Sequence, residues 1–146
     1  MLFVQKNPPR EQWLESTGGL NIFTRHWRPA GTSRAALVIC HGVNSHGGQY
    51  LRAAEEFAAA GFAVTALDLR GRGRSEGERF HVEDVADLSQ TIELAKSHDP
   101  GLPRYLLGHS AGGVVSRERV MADIIGWIEA RLPAAAAPPV AGGAIA

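Results

Sequence analysis

A single cysteine, Cys40, stands among 146 residues, so no internal disulfide can close and nothing marks a small, staple-dependent secreted scaffold. Cys40 ends an apolar run and reads as a reduced core residue. An excess of either charge is missing too. Lys and Arg together number 15, as do Asp and Glu, so no net field draws nucleic acid or anionic lipid. Aromatic residues make up 7% and do not interleave with the basic residues, as stacking on single-stranded nucleic acid requires. No apolar run approaches the roughly 20 residues of a membrane-spanning helix. The stretch Met1-Leu2-Phe3-Val4, followed by Gln5-Lys6-Asn7-Pro8-Pro9-Arg10, lacks the longer apolar core of a signal peptide. A soluble, cytoplasmic protein without an integral membrane segment is expected. The last absence bears on chemistry. The six histidines are His26, His41, His46, His81, His98 and His109, and none follows residue 109.

What is present is a regular alternation of strand and helix signals. Residues 11–17 and 20–28 read as two strands, with Thr17-Gly18-Gly19 as a hairpin-like turn. Ala35–Cys40 is a continuous apolar run of the kind a buried parallel strand needs. A glycine-rich loop, His41 to Gly48, follows it. Residues 49–60 read as a helix stopped by Gly61. Phe62–Leu67 is a second buried strand, and 84–97 a second helix with Val85, Leu88, Ile92 and Leu94 or Ala95 on one side. Arg104–Leu107 is a third strand. Such alternation predicts an α/β fold, a mainly parallel sheet with helices on both faces. From Arg117 to Leu132, Val120, Met121, Ile124, Ile125, Ile128 and Leu132 recur at helical spacing. Pro133 ends that pattern. The remaining residues, 133–146, are mostly Ala, Pro and Gly with no polar anchor and read as a disordered tail.

The third strand runs straight into Gly108-His109-Ser110-Ala111-Gly112, a G-x-S-x-G motif between a strand and a helix-compatible stretch. That context defines a nucleophile elbow, in which a sharp turn lifts a serine hydroxyl to the top of the sheet. The chemistry it names is attack of Ser110 on an acyl carbon. A serine hydroxyl needs a base to take its proton. In this architecture the acid and the histidine follow the serine, and no histidine does so here. His41 and His46, in the loop after the first parallel strand, are the candidate substitutes. The competing reading gives them hydrogen bonds that hold the loop. As a metal pair they lack a third ligand, and neither metal nor cofactor is expected. His109 adjoins Ser110, but its side chain should point away across the turn. Glu118, Asp123 and Glu129, the acids beyond the serine, read as the solvated face of a helix.

Taken together, the motifs resemble the monoacylglycerol lipase-like branch of the α/β-hydrolases, also called the serine aminopeptidase family. The matching residues are His41-Gly42 and His46-Gly47-Gly48-Gln49-Tyr50. They continue with Gly61-Phe62, Leu67-Asp68-Leu69-Arg70-Gly71-Arg72-Gly73-Arg74-Ser75-Glu76-Gly77, and Leu107-Gly108-His109-Ser110-Ala111-Gly112-Gly113. The resemblance spans residues 11–116 and implies a partial α/β-hydrolase fold. It further implies an ester hydrolase acting through an acyl-enzyme at Ser110, on small acyl esters such as monoacylglycerols or lysophospholipids. By the same resemblance the oxyanion-hole amides fall at Val43 and Ala111, while Gly108, His109, Gly112, His41 and Gly42 shape the elbow and the facing loop. It explains the basic run Arg70, Arg72, Arg74 and Arg79 as the loop after the second parallel strand, not a phosphate or RNA site, with Asp68 fixing that loop. Residues 117–128 look like the family's closing helix. The expectation is one truncated domain over 1–132, with an internal deletion joined near 116–117, and activity lost or severely impaired for want of the triad acid and histidine. The alternatives are a non-catalytic remnant or binding protein on the same core, and a sequence that misrepresents its gene. An edge strand left open by missing neighbours would favour self-association.

Overall fold

The computed structural model describes residues 6–81 and 85–110. Five strands, β1 (Arg10–Glu15), β2 (Asn21–Trp27), β3 (Ala35–Cys40), β4 (Phe62–Leu67) and β5 (Arg104–Gly108), form one sheet. Two helices, α1 (Leu51–Ala59) and α2 (Ala86–His98), connect the parallel strands. The spatial order is β1-β2-β4-β3-β5. β1 and β2 are an antiparallel pair joined by a 3-10 turn at Thr17–Gly19. β2 runs antiparallel to β4, and β3 lies parallel to both β4 and β5. Within residues 10–108 the expected strands and helices are present, with ends that shift by a residue or two. The elements 35–40 and 62–67 coincide with their expected bounds. The chain enters α1 through a 3-10 turn at Gly47–Tyr50.

Side-chain alternation along the strands feeds two cores. On one face Trp27, Leu37, Ile39, Val64 and Ala66 pack against Ala54 and Ala58 of α1. On the other, Ile22, Val38, Cys40 and Leu67 pack against Leu88, Ile92 and Ala95 of α2. β3 is buried along its whole length because it has a strand on each side and a helix on each face. Cys40 is a free, fully buried thiol, as its apolar surroundings predict. Among the described residues β5 is the last strand on its side of the sheet.

Parallel strands put their carboxyl ends on one side of the sheet, and the loops there build sites. Register then decides which loop residues meet. Cys40 pairs with Gly108, so the second residue beyond each strand, Gly42 and Ser110, reach the same height. The expected 117–132 helix, the 133–146 tail, the 116–117 junction, residue 84 at the expected start of the second helix, and Glu118, Asp123 and Glu129 lie outside the described residues.

Candidate active site

The elbow is built as its sequence requires. Ser110 has φ 55°, a left-handed conformation that costs a non-glycine residue about 1–2 kcal/mol. The His109 amide donates to the Cys40 carbonyl at 3.1 Å, which carries the parallel ladder one step past the strand and pins the turn against β3. Ser110 itself is exposed. The loop after β3 passes directly over it. A Cβ on Gly42 would lie 3.1 Å from the Ser110 Cβ, 3.2 Å from the His109 carbonyl oxygen and 3.6 Å from the Ser110 Oγ. Glycine is needed there for close approach. Val43, next along, is about half exposed at this mouth. Ala111 and Gly112 lie outside the described residues.

The histidines near the elbow are already engaged. His41 is fully buried. Its Nε2 accepts the Leu69 amide at 2.9 Å, so its proton sits on Nδ1, which donates to the Gly42 carbonyl at 2.7 Å. Burial lowers its pKa, and it stays neutral. The bond to Gly42 has a geometric consequence. In a trans peptide the carbonyl and the next amide point opposite ways. Drawing the Gly42 carbonyl toward His41 therefore turns the Val43 N–H away from it. His46 Nδ1 accepts the Gly48 amide at 3.1 Å and caps the turn before α1. His109 turns to Tyr50, whose hydroxyl lies 3.0 Å from its Nδ1. His41 and His46 thus hold the loop, and among the described contacts neither bonds to Ser110. Among the described residues no cluster of three or more His, Cys, Asp or Glu side chains could hold a metal ion.

The loop after β4 carries the basic run, and much of it folds inward. Asp68 is fully buried and receives Arg25 Nη1 at 2.8 Å, the Gly47 amide at 2.6 Å and the Arg74 amide at 2.9 Å. One carboxylate so ties β2, the loop after β3 and its own loop together. Asp87, on α2, is also fully buried. It accepts Arg70 Nε at 3.0 Å and Nη2 at 2.8 Å, the Arg70 amide at 2.9 Å and Ser16 Oγ at 2.7 Å. Burial pushes its pKa up, but the hydrogen bonds from Arg70 and Ser16 outweigh this and leave it below the usual carboxylate value. Arg72 is buried as well. Its Nε donates to the Val43 carbonyl at 2.5 Å, and its guanidinium lies 4.8 Å from the Phe80 ring centroid. His41 and Arg72 thus grip successive carbonyls of the loop that faces Ser110.

Sequence reasoning placed Asp68 as a loop anchor, and its three donors bear that out. It missed the Arg70–Asp87 pair and the part played by Arg72. A signal for the first was available: Asp87, Thr91 and Ala95 share one helical stripe, and all are buried. A carboxylate on a buried stripe requires a buried cation.

Comparison with known proteins gives the same frame. The family described as "Serine aminopeptidase, S33" matches residues 31–125. The monoacylglycerol lipase of Mycolicibacterium smegmatis is 41% identical over 107 residues, which is 70% of this chain and 38% of that protein. The human monoglyceride lipase is 38% identical over 107 residues, 70% of this chain and 35% of its own length. A thermostable carboxyl esterase from Bacillus coagulans superposes with a TM-score of 0.72 at 23% identity, over 82% of this chain and 42% of that one, a likeness of fold. The chain thus spans well under half the length of the curated relatives it matches. With an elbow serine beneath a glycine-led loop, and a matching stretch from residue 31 to residue 125, the chain belongs to the serine aminopeptidase S33 family of α/β-hydrolases.

Proposed function

We propose that this chain carries the acylation half of a carboxylic-ester hydrolase site, for small acyl esters of the monoacylglycerol or lysophospholipid class. Ser110 is the nucleophile, and the Val43 and Ala111 amides receive the oxyanion. The observation that carries this is the left-handed Ser110 set directly under Gly42. Two curated relatives are named for monoacylglycerol or monoglyceride hydrolysis, and another, from Bacillus subtilis, is a phospholipase. Each oxyanion donor contributes about 3–4 kcal/mol to the transition state.

Among the described residues no histidine is free to serve Ser110 as a base, and no histidine follows residue 109 in the sequence. His41 and His46 are held by backbone groups and His109 faces Tyr50. Loss of a triad member costs on the order of a million-fold, with about 10³–10⁴ over water retained through the oxyanion hole and binding. The proposed activity of this chain is therefore severely impaired. The same occupied histidines favour a second reading, a binding protein that keeps the elbow and turns nothing over. Hydrolysis of p-nitrophenyl butyrate and of a monoacylglycerol, beside Ser110→Ala, separates the two. A small Ser110-dependent rate supports the impaired hydrolase. Identical rates together with saturable ester binding support the binding protein.

A further inference from the structure

The loop over Ser110 contains a turn that its own residues do not fix. The Ser45 amide donates to the Gly42 carbonyl at 3.2 Å, which closes a four-residue β-turn with Val43 and Asn44 at its centre. Among the described residues other than glycine only Phe80 and Ser110 have positive φ. Asn44 therefore does not, and the turn is type I rather than type II. The two types differ by a half-rotation of the central peptide, and asparagine in the third position tolerates either. Asn44 is exposed, and among the described contacts neither its side chain nor its amide is held. Arg72 holds the central peptide instead. Its Nε donates to that peptide's oxygen, the Val43 carbonyl, at 2.5 Å. Arg72 is only 3% exposed. Its other described acceptor is the Gly71 carbonyl at 3.3 Å, and no described carboxylate pairs with it. Burying a guanidinium without a counter-charge is costly. Phe80 lays its ring over this guanidinium, 4.8 Å from it, on a backbone with φ 65° that is an outlier for so bulky a residue. Two unfavourable features are thus kept around one bond.

We infer that Arg72 is a positioning residue for the Ser110 site: it selects the type I form of the Gly42–Ser45 turn and so keeps the Val43 carbonyl away from the nucleophile. The functional part of this rests on Ser110 being the nucleophile of an ester hydrolase. In the strand order β4-β3-β5, Arg72 comes from the loop after β4 and Ser110 from the turn after β5. They flank the loop after β3 on opposite sides. Arg72 draws the Val43 oxygen to its own flank. A half-rotation of the peptide carries that oxygen toward the Ser110 flank, where a carbonyl dipole opposes a developing oxyanion. It also changes the backbone at Val43, whose N–H is the proposed oxyanion donor. His41 fixes the peptide before Val43 and Arg72 the peptide after it.

Nuclear magnetic resonance of the isotope-labelled full chain reads the turn directly. The type I form brings the amide protons of Val43 and Asn44 together, whereas type II brings the Val43 Hα to the Asn44 amide proton. The native chain should show the first contact and Arg72→Met the second. Arg72→Gln, which sets an amide N–H at the place of Nε, should keep the native contact. Adding Asn44→Ala to Arg72→Met should restore it, because alanine disfavours the positive φ that type II demands. Acetylation of Ser110 by p-nitrophenyl acetate with imidazole is the second reading. It should fall about tenfold in Arg72→Met, the scale of one hydrogen bond to a charged group, and recover in the double variant, which lost packing alone does not explain. If Arg72→Met does not fold, Asn44→Gly carries the test. Glycine favours type II, and the Arg72 bond should still hold the native contact. An unchanged contact in folded Arg72→Met, a switched contact in Asn44→Gly, or no recovery in the double variant would overturn the inference. So would a switched turn with undiminished acetylation. The turn contacts need no reactive Ser110 and decide whether Arg72 holds the turn on their own. A native chain that is not acetylated would count against the hydrolase reading and would remove the positioning role with it.

Discussion

Replacement of Asp68 by asparagine should be the most damaging isosteric change in the loops around the elbow. Asparagine keeps the volume, so no cavity opens, and the effect isolates charge and hydrogen bonding. Asp68 is fully buried and Arg25, its ion-pair partner at 2.8 Å, is only 7% exposed. Neutralising one partner leaves the other charge uncompensated, which costs about 3–5 kcal/mol. The amide also fits the remaining donors badly. Its oxygen can still accept from Arg25 and the Gly47 amide at the Oδ1 position, but its NH₂ group then confronts the Arg74 amide, which donates to Oδ2. Rotating the amide only moves the conflict to the other side. Gly73 shuts off retreat, since a Cβ there would lie 2.2 Å from Oδ2. Domains are stable by about 5–15 kcal/mol, so about a fifth or more of the total is at stake. In urea, where slopes run at about 1–3 kcal/mol per molar, the midpoint should fall by roughly 1–5 M with the slope unchanged. A drop below about 0.3 M would refute the argument that this buried pair fastens β2 to the site loops.

Gly42→Ala places a methyl 3.1 Å from the Ser110 Cβ and 3.2 Å from the His109 carbonyl. It should destabilise by about 1–3 kcal/mol through overpacking, read as a lowered melting temperature. Gly31→Ala, where a Cβ meets nothing within 4 Å, should stay within about 0.5 kcal/mol of wild type, and equal effects at the two sites would contradict the proposed close approach. Stability should also fall on acidification. Burial, with His98, Arg10 and Arg28 nearby, lowers the His26 pKa from 6.5 to about 4, so the unfolded chain takes up a proton that the folded chain refuses. The loss develops as pH falls from about 6.5 to 4 and reaches on the order of 3 kcal/mol. Urea midpoints of wild type and His26→Gln, measured against pH, should show a flatter acid limb for the variant. Asp87, held below the usual carboxylate value, adds stability that is present above about pH 4 and lost as pH falls through its own lower value. Asp87→Asn should remove that part of the acid dependence below pH 4, as well as lowering stability at neutral pH.

The parts of the fold that repeat a local signal were legible from the residues. Ala35–Cys40 and Phe62–Leu67 are strands buried on both faces, and unbroken apolar runs announce them. Ser110 was legible because an elbow needs small residues at fixed offsets from the serine. What stayed hidden depends on partners far apart in the chain. Arg25 and Asp68 are 43 positions apart, and Arg70 and Ser16 converge on an aspartate from a different element. Charge counting sees Arg70, Arg72 and Arg74 as one basic run. The fold buries the first two and leaves Arg74 with Glu11 on the surface. The occupation of His41 was expected only as a role in the loop. Which atoms it holds, and hence the aim of the Val43 amide, required the Leu69 amide to arrive from the neighbouring strand end.

The central proposal is that Ser110 is a positioned nucleophile that no base among the described residues serves. It is tested most directly by mass spectrometry of the chain after exposure to p-nitrophenyl acetate, with and without added imidazole. Ser110 is exposed, so imidazole can reach it and take its proton. The account predicts little modification in plain buffer and one acetyl group on the Ser110 peptide when imidazole is present, absent from Ser110→Ala and reduced in Gly42→Ala. Acetylation confined to lysines, or as extensive in Ser110→Ala as in the native chain, would contradict it.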